Sequence, residues 1–380
     1  MITSVAVPYQ VYQLSRSVFL VGTLGLVELA ALLGFAMLGG ALADAADRRR
    51  MVLLSEAGLM AGSILLAGNS LLPHPIVWLI FAITALQASF DALQRPSLDA
   101  LIPRLVDRDE LPAAAALGSL RSTVGMIAGL ALAGVIVALF GLAATYLIDV
   151  ATFVVGLVCL ALMRAVPPPA DAERPSLRRV VEGIRYARSR PELIGTYVVD
   201  IVAMLFGMPM ALYPAIAQGL GGPKVLGLLY AAPAVGSFLF AATSGWSRRV
   251  HRHGMGVLVG ATVWGLAIVG FGVVPGLGAA LVFLALAGAG DSMSGLFRQV
   301  IWNQTIPDSL RGRLASIELL SYSIRPTLGN FESGVVASIF SVRFSVTSGG
   351  ILCVIGCLLC GLALPAFRNY DDRRHRAPAR

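Results

Sequence analysis

The stretch GGALADAADRRRM (39–51) places two aspartates and three arginines between two long apolar runs. Upstream lies VGTLGLVELAALLGFAML (21–38), downstream VLLSEAGLMAGSILLAG (52–68). A run of about 20 apolar residues is the length a helix needs to cross a hydrocarbon core of about 30 Å. A compact charge knot between two such runs marks a chain that crosses, turns in water and crosses back. The whole chain fits this reading: 57% of residues are hydrophobic, 13% charged, and the mean hydropathy is +0.80. Soluble domains carry about 25% charged residues. Inside lipid the backbone must satisfy its own hydrogen bonds, and runs rich in Leu, Ala and Gly do so as helices. The expected class is all-α integral membrane protein.

Working outward, apolar spans are expected at 2–14, 18–43, 51–67, 76–93, 113–140 and 142–163. After a polar stretch they resume at 193–217, 225–246, 255–273, 277–297, 314–340 and 346–363. That gives a first six-helix bundle (1–164), a linker (165–192), a second bundle (193–366) and a basic tail (367–380). If 39–51 faces the cytoplasm, 24 arginines fall on that side and three basic residues opposite. This is the asymmetry of the positive-inside rule, with both termini cytoplasmic. It also accounts for the net charge of +8 and pI of 9.7 without nucleic acid. The linker opens on VPPPADAERP (166–175). From Ser176, a helix N-cap, it is expected to form an amphipathic helix on the inner leaflet.

The two bundles repeat. SLRSTVG (119–125) and SIRPTLG (323–329) share Ser, Arg, Thr and Gly, with Ser119 and Ser323 lying 204 positions apart. The same offset carries Ile102-Pro103 onto Ile306-Pro307, and Asp44 onto Arg248 in SGWSRRVHRHG (244–254). Parallel six-helix repeats related by an axis along the membrane normal are the architecture of the major facilitator superfamily. The offset also makes the first span shorter at its start than its partner, so the reading frame is expected to continue upstream of Met1.

The opening stretch then resembles that superfamily's loop between the second and third spans, through Gly40, Leu42, Asp44, Arg48 and Arg49. Ala45 and Asp47 depart from the family's pattern, and Ala45 weakens the latch described next. The resemblance implies a cytoplasmic charge latch, with Gly40 allowing close helix approach and Asp44, Arg48 and Arg49 closing one state. A simple stop signal is the alternative. VAVPYQVYQL (5–14), ALYPAIAQ (211–218), GLLYAAPAVGSFLFAATSG (227–245) and TIPDSLRGRLASI (305–317) are similar to the enterobactin exporter branch. That branch also holds macrolide exporters. It implies a bacterial inner-membrane transporter, monomeric, with a small-molecule substrate. AGLALAGV (128–135) lacks the proline of the antiporters' fifth-span motif, which leaves that span's kink in doubt.

Chemistry by exclusion points the same way. The only lysine, Lys224 in GGPKVLG (221–227), lacks P-loop spacing, so ATP is not hydrolysed by that route. No G-x-S-x-G elbow or H-E-x-x-H helix occurs, so no catalytic residue, cofactor or metal is assigned. Cys353, Cys357 and Cys360 read as packing, and His251 and His253 as solvated loop residues.

Charges within spans are costly and mark pathways. Glu318, Arg325 and Glu332 recur every seven residues on one face of the eleventh span, and Arg121 is the repeat partner of Arg325. These four are the candidate substrate contacts; the alternative is that carboxylates neutralise the arginines and lock helices. Glu28, near mid-span, leads the candidate proton carriers, with Asp91 and Asp291. Asp149 is expected to make a packing hydrogen bond, and Asp200 could titrate. Three functions follow: a proton-coupled exporter of a siderophore or similar acidic metabolite, an exporter of amphipathic drugs including macrolides, or a transport-inactive sensor. Mass spectrometry of the native protein is expected to find an N-terminus upstream of Met1; Met1 itself as the terminus overturns the truncated first span.

Overall fold

The computed structural model describes residues 2–45, 48–105, 107–163, 185–186, 188–371 and 373. They form helices α1 (Thr3–Ser15), α2 (Val18–Ala45), α3 (Arg48–Leu71), α4 (Val77–Leu105) and α5 (Leu111–Leu162). After the linker come α6 (Pro191–Phe206), α7 (Tyr213–Leu220), α8 (Pro223–Thr243), α9 (His253–Val273) and α10 (Leu277–Thr305). Then follow α11 (Asp308–Ile339), α12 (Val342–Ala363) and the short α13 (Pro365–Arg368). The linker residues from Ser176 to Ile184, where an amphipathic helix was expected, lie outside the described residues.

Among the described residues nine helical stretches are long and apolar enough to cross a bilayer. One of them, Ile127–Leu162, contains two spans. At Gly141 the backbone takes φ 78° and ψ 175°, a conformation essentially confined to glycine, so α5 is two arms meeting at that residue. With α1, which is short, and α11, which is charged, the helices match the twelve expected spans. The seventh differs from expectation. It is not continuous but breaks after α6 at Gly207, passes through a 3-10 turn at Met210–Leu212, and resumes as α7. Pro209 lacks the N–H that a continued helix needs. Side chains satisfy the freed backbone: Ala211 N–H donates to Asn330 Oδ1 (3.0 Å), and the Tyr230 hydroxyl donates to the Met210 carbonyl (3.3 Å). This is how a helix break is tolerated at membrane depth.

The chain divides into two compact units, Met1–Pro175 with Ala217–Gly227, and Ser176–Ile216 with Leu228–Arg380. In the first, α4 packs on α2 and α3, and α5 on α3 and α1. Neutral hydrogen bonds join the helices. Tyr146 donates to Gln10 (2.7 Å), which donates to Ser70 (2.9 Å), and Ser63 donates to Asp149 (2.7 Å). Asp149 therefore makes a buried helix–helix hydrogen bond. Arg49 bonds the carbonyls of Leu160 and Ala161, holding the last turn of α5 where basic groups favour a helix C-terminus.

In the second unit α9 packs on α10 and α12, and α6 on α11 and α12. Glycines set the approach. A Cβ at Gly260 would stand 2.6 Å from the Ser294 nitrogen and 2.7 Å from the Gly290 oxygen, so the α9 and α10 backbones touch there. Small residues at such crossings replace the hydrophobic drive that lipid removes. Cys353, Cys357 and Cys360 are buried on α12, and Cys353 Sγ lies 3.8 Å from the Ala261 carbonyl, in keeping with packing. His253 is not a solvated loop residue as expected. It is 5% exposed at the start of α9, stacks on Phe297 (5.7 Å) and bonds the Val250 carbonyl (2.9 Å). Gly260→Ala is expected to lower thermal stability by about 1–3 kcal/mol through overpacking. Gly278→Ala, which meets open space, is expected to leave it unchanged in the same melting experiment.

Candidate functional site

Four positions of α10 share one face by helical spacing: Asp291, Gly295, Arg298 and Trp302, at i, i+4, i+7 and i+11. All four line a cavity of about 320 Å³ in the second unit. Phe240 and Ala241 of α8 and Ser244, in the 3-10 turn that follows it, form another wall, and Arg325 of α11 reaches in beside them. Trp302 is held in place from α6. Its indole N–H donates to Thr196 Oγ1 (2.8 Å), and its ring stacks on Tyr197 with centroids 5.3 Å apart.

Behind this wall is an ion cluster. Asp200 of α6 pairs with Arg298 through Oδ1 and with Arg325 through Oδ2, so one carboxylate joins three helices. The three residues are 5%, 5% and 6% exposed. Asp291 adds a second carboxylate, 3.9 Å from Arg298, with about a third of its side chain open. Charges buried to this depth persist only when paired, because desolvation of an isolated ion costs several kcal/mol. Arg298 thus corrects the expected topology. The tenth helix runs on to Thr305, and Arg298 is a buried pairing group rather than a cytoplasmic loop charge. Arg298 was not among the expected site residues, and Asp200 was expected only as a group that could titrate. The heptad spacing of Asp291 and Arg298 is the signal that could have found the first.

The remaining expected residues fall in several places. Glu332 is half-buried on α11, two turns beyond Arg325 and outside the cavity wall. In the first unit Glu28 of α2 and Asp91 of α4 lie close enough for their charges to act on one another. Gly40, Asp44, Arg48, Arg121 and Glu318 lie on α2, α3, α5 and α11 but outside the residues whose side chains are described. Arg325, expected either to bind substrate or to lock helices, is paired with a carboxylate and also faces the cavity. Asp200→Ala leaves two buried guanidiniums short of a counter-ion and is expected to destabilise the protein by about 3–5 kcal/mol. Asp200→Asn, which keeps the hydrogen-bond acceptor, is expected to cost less in the same detergent melting assay.

Comparison with known proteins places this architecture. The family described as transmembrane secretion effector matches residues 1–378. The chain is 30% identical to the enterobactin exporter EntS of Citrobacter koseri, over 96% of this chain and 88% of that protein. It is 29% identical to the enterobactin exporter EntS of Escherichia coli K12 over the same shares. Among solved structures, a bacterial homolog of the human lysosomal transporter Spinster superposes with TM-score 0.75 at 15% identity, covering 100% of this chain and 95% of that one. A POT family transporter in complex with 5-aminolevulinic acid gives TM-score 0.74 at 12% identity, covering 96% and 94%. These structures share the major facilitator fold with this chain. The chain belongs to the transmembrane secretion effector family, and is a multi-pass secondary transporter of a small molecule rather than an enzyme.

Proposed function

We propose that this transporter exports a siderophore of the enterobactin kind, or a similar acidic metabolite, across a bacterial inner membrane in exchange for protons. The observation that carries the reading is the pair of guanidiniums, Arg298 and Arg325, on the wall of a cavity that also presents Phe240 and Trp302. Guanidinium forks match planar oxygen-bearing groups, and the aromatic walls suit a flat ring. The 30% identity to an enterobactin exporter supports the same substrate class. Arg121, the repeat partner of Arg325, is the matching substrate-contact candidate in the first half, and Glu318 and Glu332 are those on the α11 stripe. Glu28 with Asp91 and, separately, Asp291 are the proton carriers in this reading. Asp44 with Arg48, near Gly40, is the core of the cytoplasmic latch in this reading, and Arg49 anchors it to the end of α5 through the Leu160 and Ala161 carbonyls. Both termini face the cytoplasm, and one chain suffices.

A second reading, efflux of amphipathic drugs such as macrolides, draws on Phe240, Ala241, Leu296 and Trp302 in the same wall. Deleting the gene and measuring siderophore inside and outside iron-starved cells separates the two. Intracellular accumulation, cured by the native chain, is expected. Arg325→Ala is expected to restore export poorly, because losing a charged hydrogen bond of about 1.5–3 kcal/mol corresponds to roughly 10- to 150-fold in affinity. Unchanged siderophore with greater macrolide sensitivity moves the assignment to drug efflux.

A further inference from the structure

The segment that joins α8 to α9 reads SGWSRRVHRHG (244–254) and opens as a 3-10 turn, Ser244–Arg249, with no buried residue. Shifted by 204 positions it lies on GALADAADRRR (40–50). Leu42 is replaced by Trp246, Asp44 by Arg248, Ala45 by Arg249 and Asp47 by His251, while Arg48 stays basic as Arg252. The first loop sets two aspartates against its three arginines, and its repeat keeps neither acid. Membrane orientation does not require that exchange, because acidic residues contribute little to the positive-inside rule.

The cations of the turn are open. Arg248, Arg249 and Arg252 are all exposed, and among the described residues none of the three pairs with a carboxylate. Asp371 of the tail lies close enough to His251 for the two charges to act on one another, but both of its oxygens accept from Arg373, at 3.1 and 2.8 Å. The start of α9 adds the positive end of a helix dipole beside Arg252. Next to these charges the surface is apolar. Phe238 and Leu239 of α8 and Met255 and Val259 of α9 are exposed, and Met255 follows Arg252 by less than one helical turn. Trp246 stands between the two zones. It is exposed, yet its ring is edge-on to Phe240 (6.1 Å) and tilted against the buried Phe297 (6.4 Å). An indole with one side on apolar neighbours and the other open suits the headgroup level of a bilayer.

We infer that this turn seats an anionic phospholipid, with Arg248, Arg249 and Arg252 on the phosphate, Trp246 at the level of the glycerol esters, and the acyl chains along Phe238, Leu239, Met255 and Val259. The inference does not depend on which small molecule is transported. Guanidinium forks match phosphate oxygens and keep their charge at any working pH. A zwitterionic lipid offers the same phosphate but brings its own cation beside it, which three open arginines disfavour. An acidic protein segment would answer the arginines but has no chains for the apolar rim.

The test is native mass spectrometry of the purified, delipidated full-length chain, titrated with phosphatidylglycerol or phosphatidylcholine of the same acyl chains. Phosphatidylglycerol is expected to bind more tightly. Each basic residue at an anionic lipid surface contributes about fivefold, so Arg248→Gln, Arg249→Gln and Arg252→Gln together are expected to weaken it about 100-fold and to leave phosphatidylcholine unchanged. Arg→Lys at the same three positions keeps the charge and is expected to keep most of the preference. Arg343→Gln, at an exposed arginine before α12, is expected to change nothing. Phosphatidylglycerol with brominated chains is expected to quench the native fluorescence more than that of Trp246→Phe. Equal affinity for the two lipids, a triple glutamine variant that keeps phosphatidylglycerol, a loss as large in Arg343→Gln, or equal quenching with and without Trp246 overturns the inference. Inorganic phosphate that displaces the lipid at equal concentration also overturns it, and makes the turn a site for a free anion. A triple glutamine variant that keeps the lipid but loses transport assigns the arginines to an acidic protein segment instead.

Discussion

In hydrocarbon, a leucine gains nothing by leaving lipid for another helix, so helices associate through close packing and polar contacts. The second unit shows both devices at one place. Gly260 lets α9 and α10 touch along their backbones, and Asp200 ties α6, α10 and α11 through two arginines. Both arginines are about 5–6% exposed beside that carboxylate, and an unpaired buried charge is among the costliest groups a fold can carry. Trp302 stands in the wall because Thr196 and Tyr197, one turn before Asp200 on the same helix, hold its ring.

The repeat makes the charge distribution informative. Shifting by 204 positions carries Gln87 onto Asp291 and Gln94 onto Arg298. In the first unit Gln87 donates to the Leu59 carbonyl and to Ser63, while Gln94 donates to Glu56. Two symmetric positions are thus neutral packing groups in one half and an ion pair facing a cavity in the other. Asp149 shows the reverse exchange, since its partner position holds Cys353. The halves share a backbone plan and divide the polar chemistry between them.

Much of this could be read from residue order alone. Apolar runs of bilayer length gave the spans, and a boundary between 140 and 142 coincides with the break at Gly141 because only glycine accepts that φ and ψ. Arg298 escaped because an apolar window ends at the first charge, whereas the helix continues two turns further to Thr305. Helical spacing from Asp291 would have kept it inside. Asp200 carried no pattern at all: its partners lie 98 and 125 positions away, on other helices, and only the fold brings them together. The break in the seventh span was visible as Gly207-Met208-Pro209, but its repair by Asn330 and Tyr230 is a tertiary fact.

The pairing of charges in the cluster bears on how a transporter resets. Moving an elementary charge across a membrane potential involves about 2.3 kcal/mol per 100 mV. An empty site carrying two unbalanced guanidiniums would feel that field on every return step, and an inside-negative potential would favour one orientation strongly. Among the described residues, two aspartates match the two arginines, Asp200 in contact with both and Asp291 3.9 Å from Arg298. Asp200 behind the wall, in contact with both arginines, and Asp291, open to the cavity, therefore stand in different surroundings. The first offsets the cost of two arginines at that depth, and the second faces the cavity.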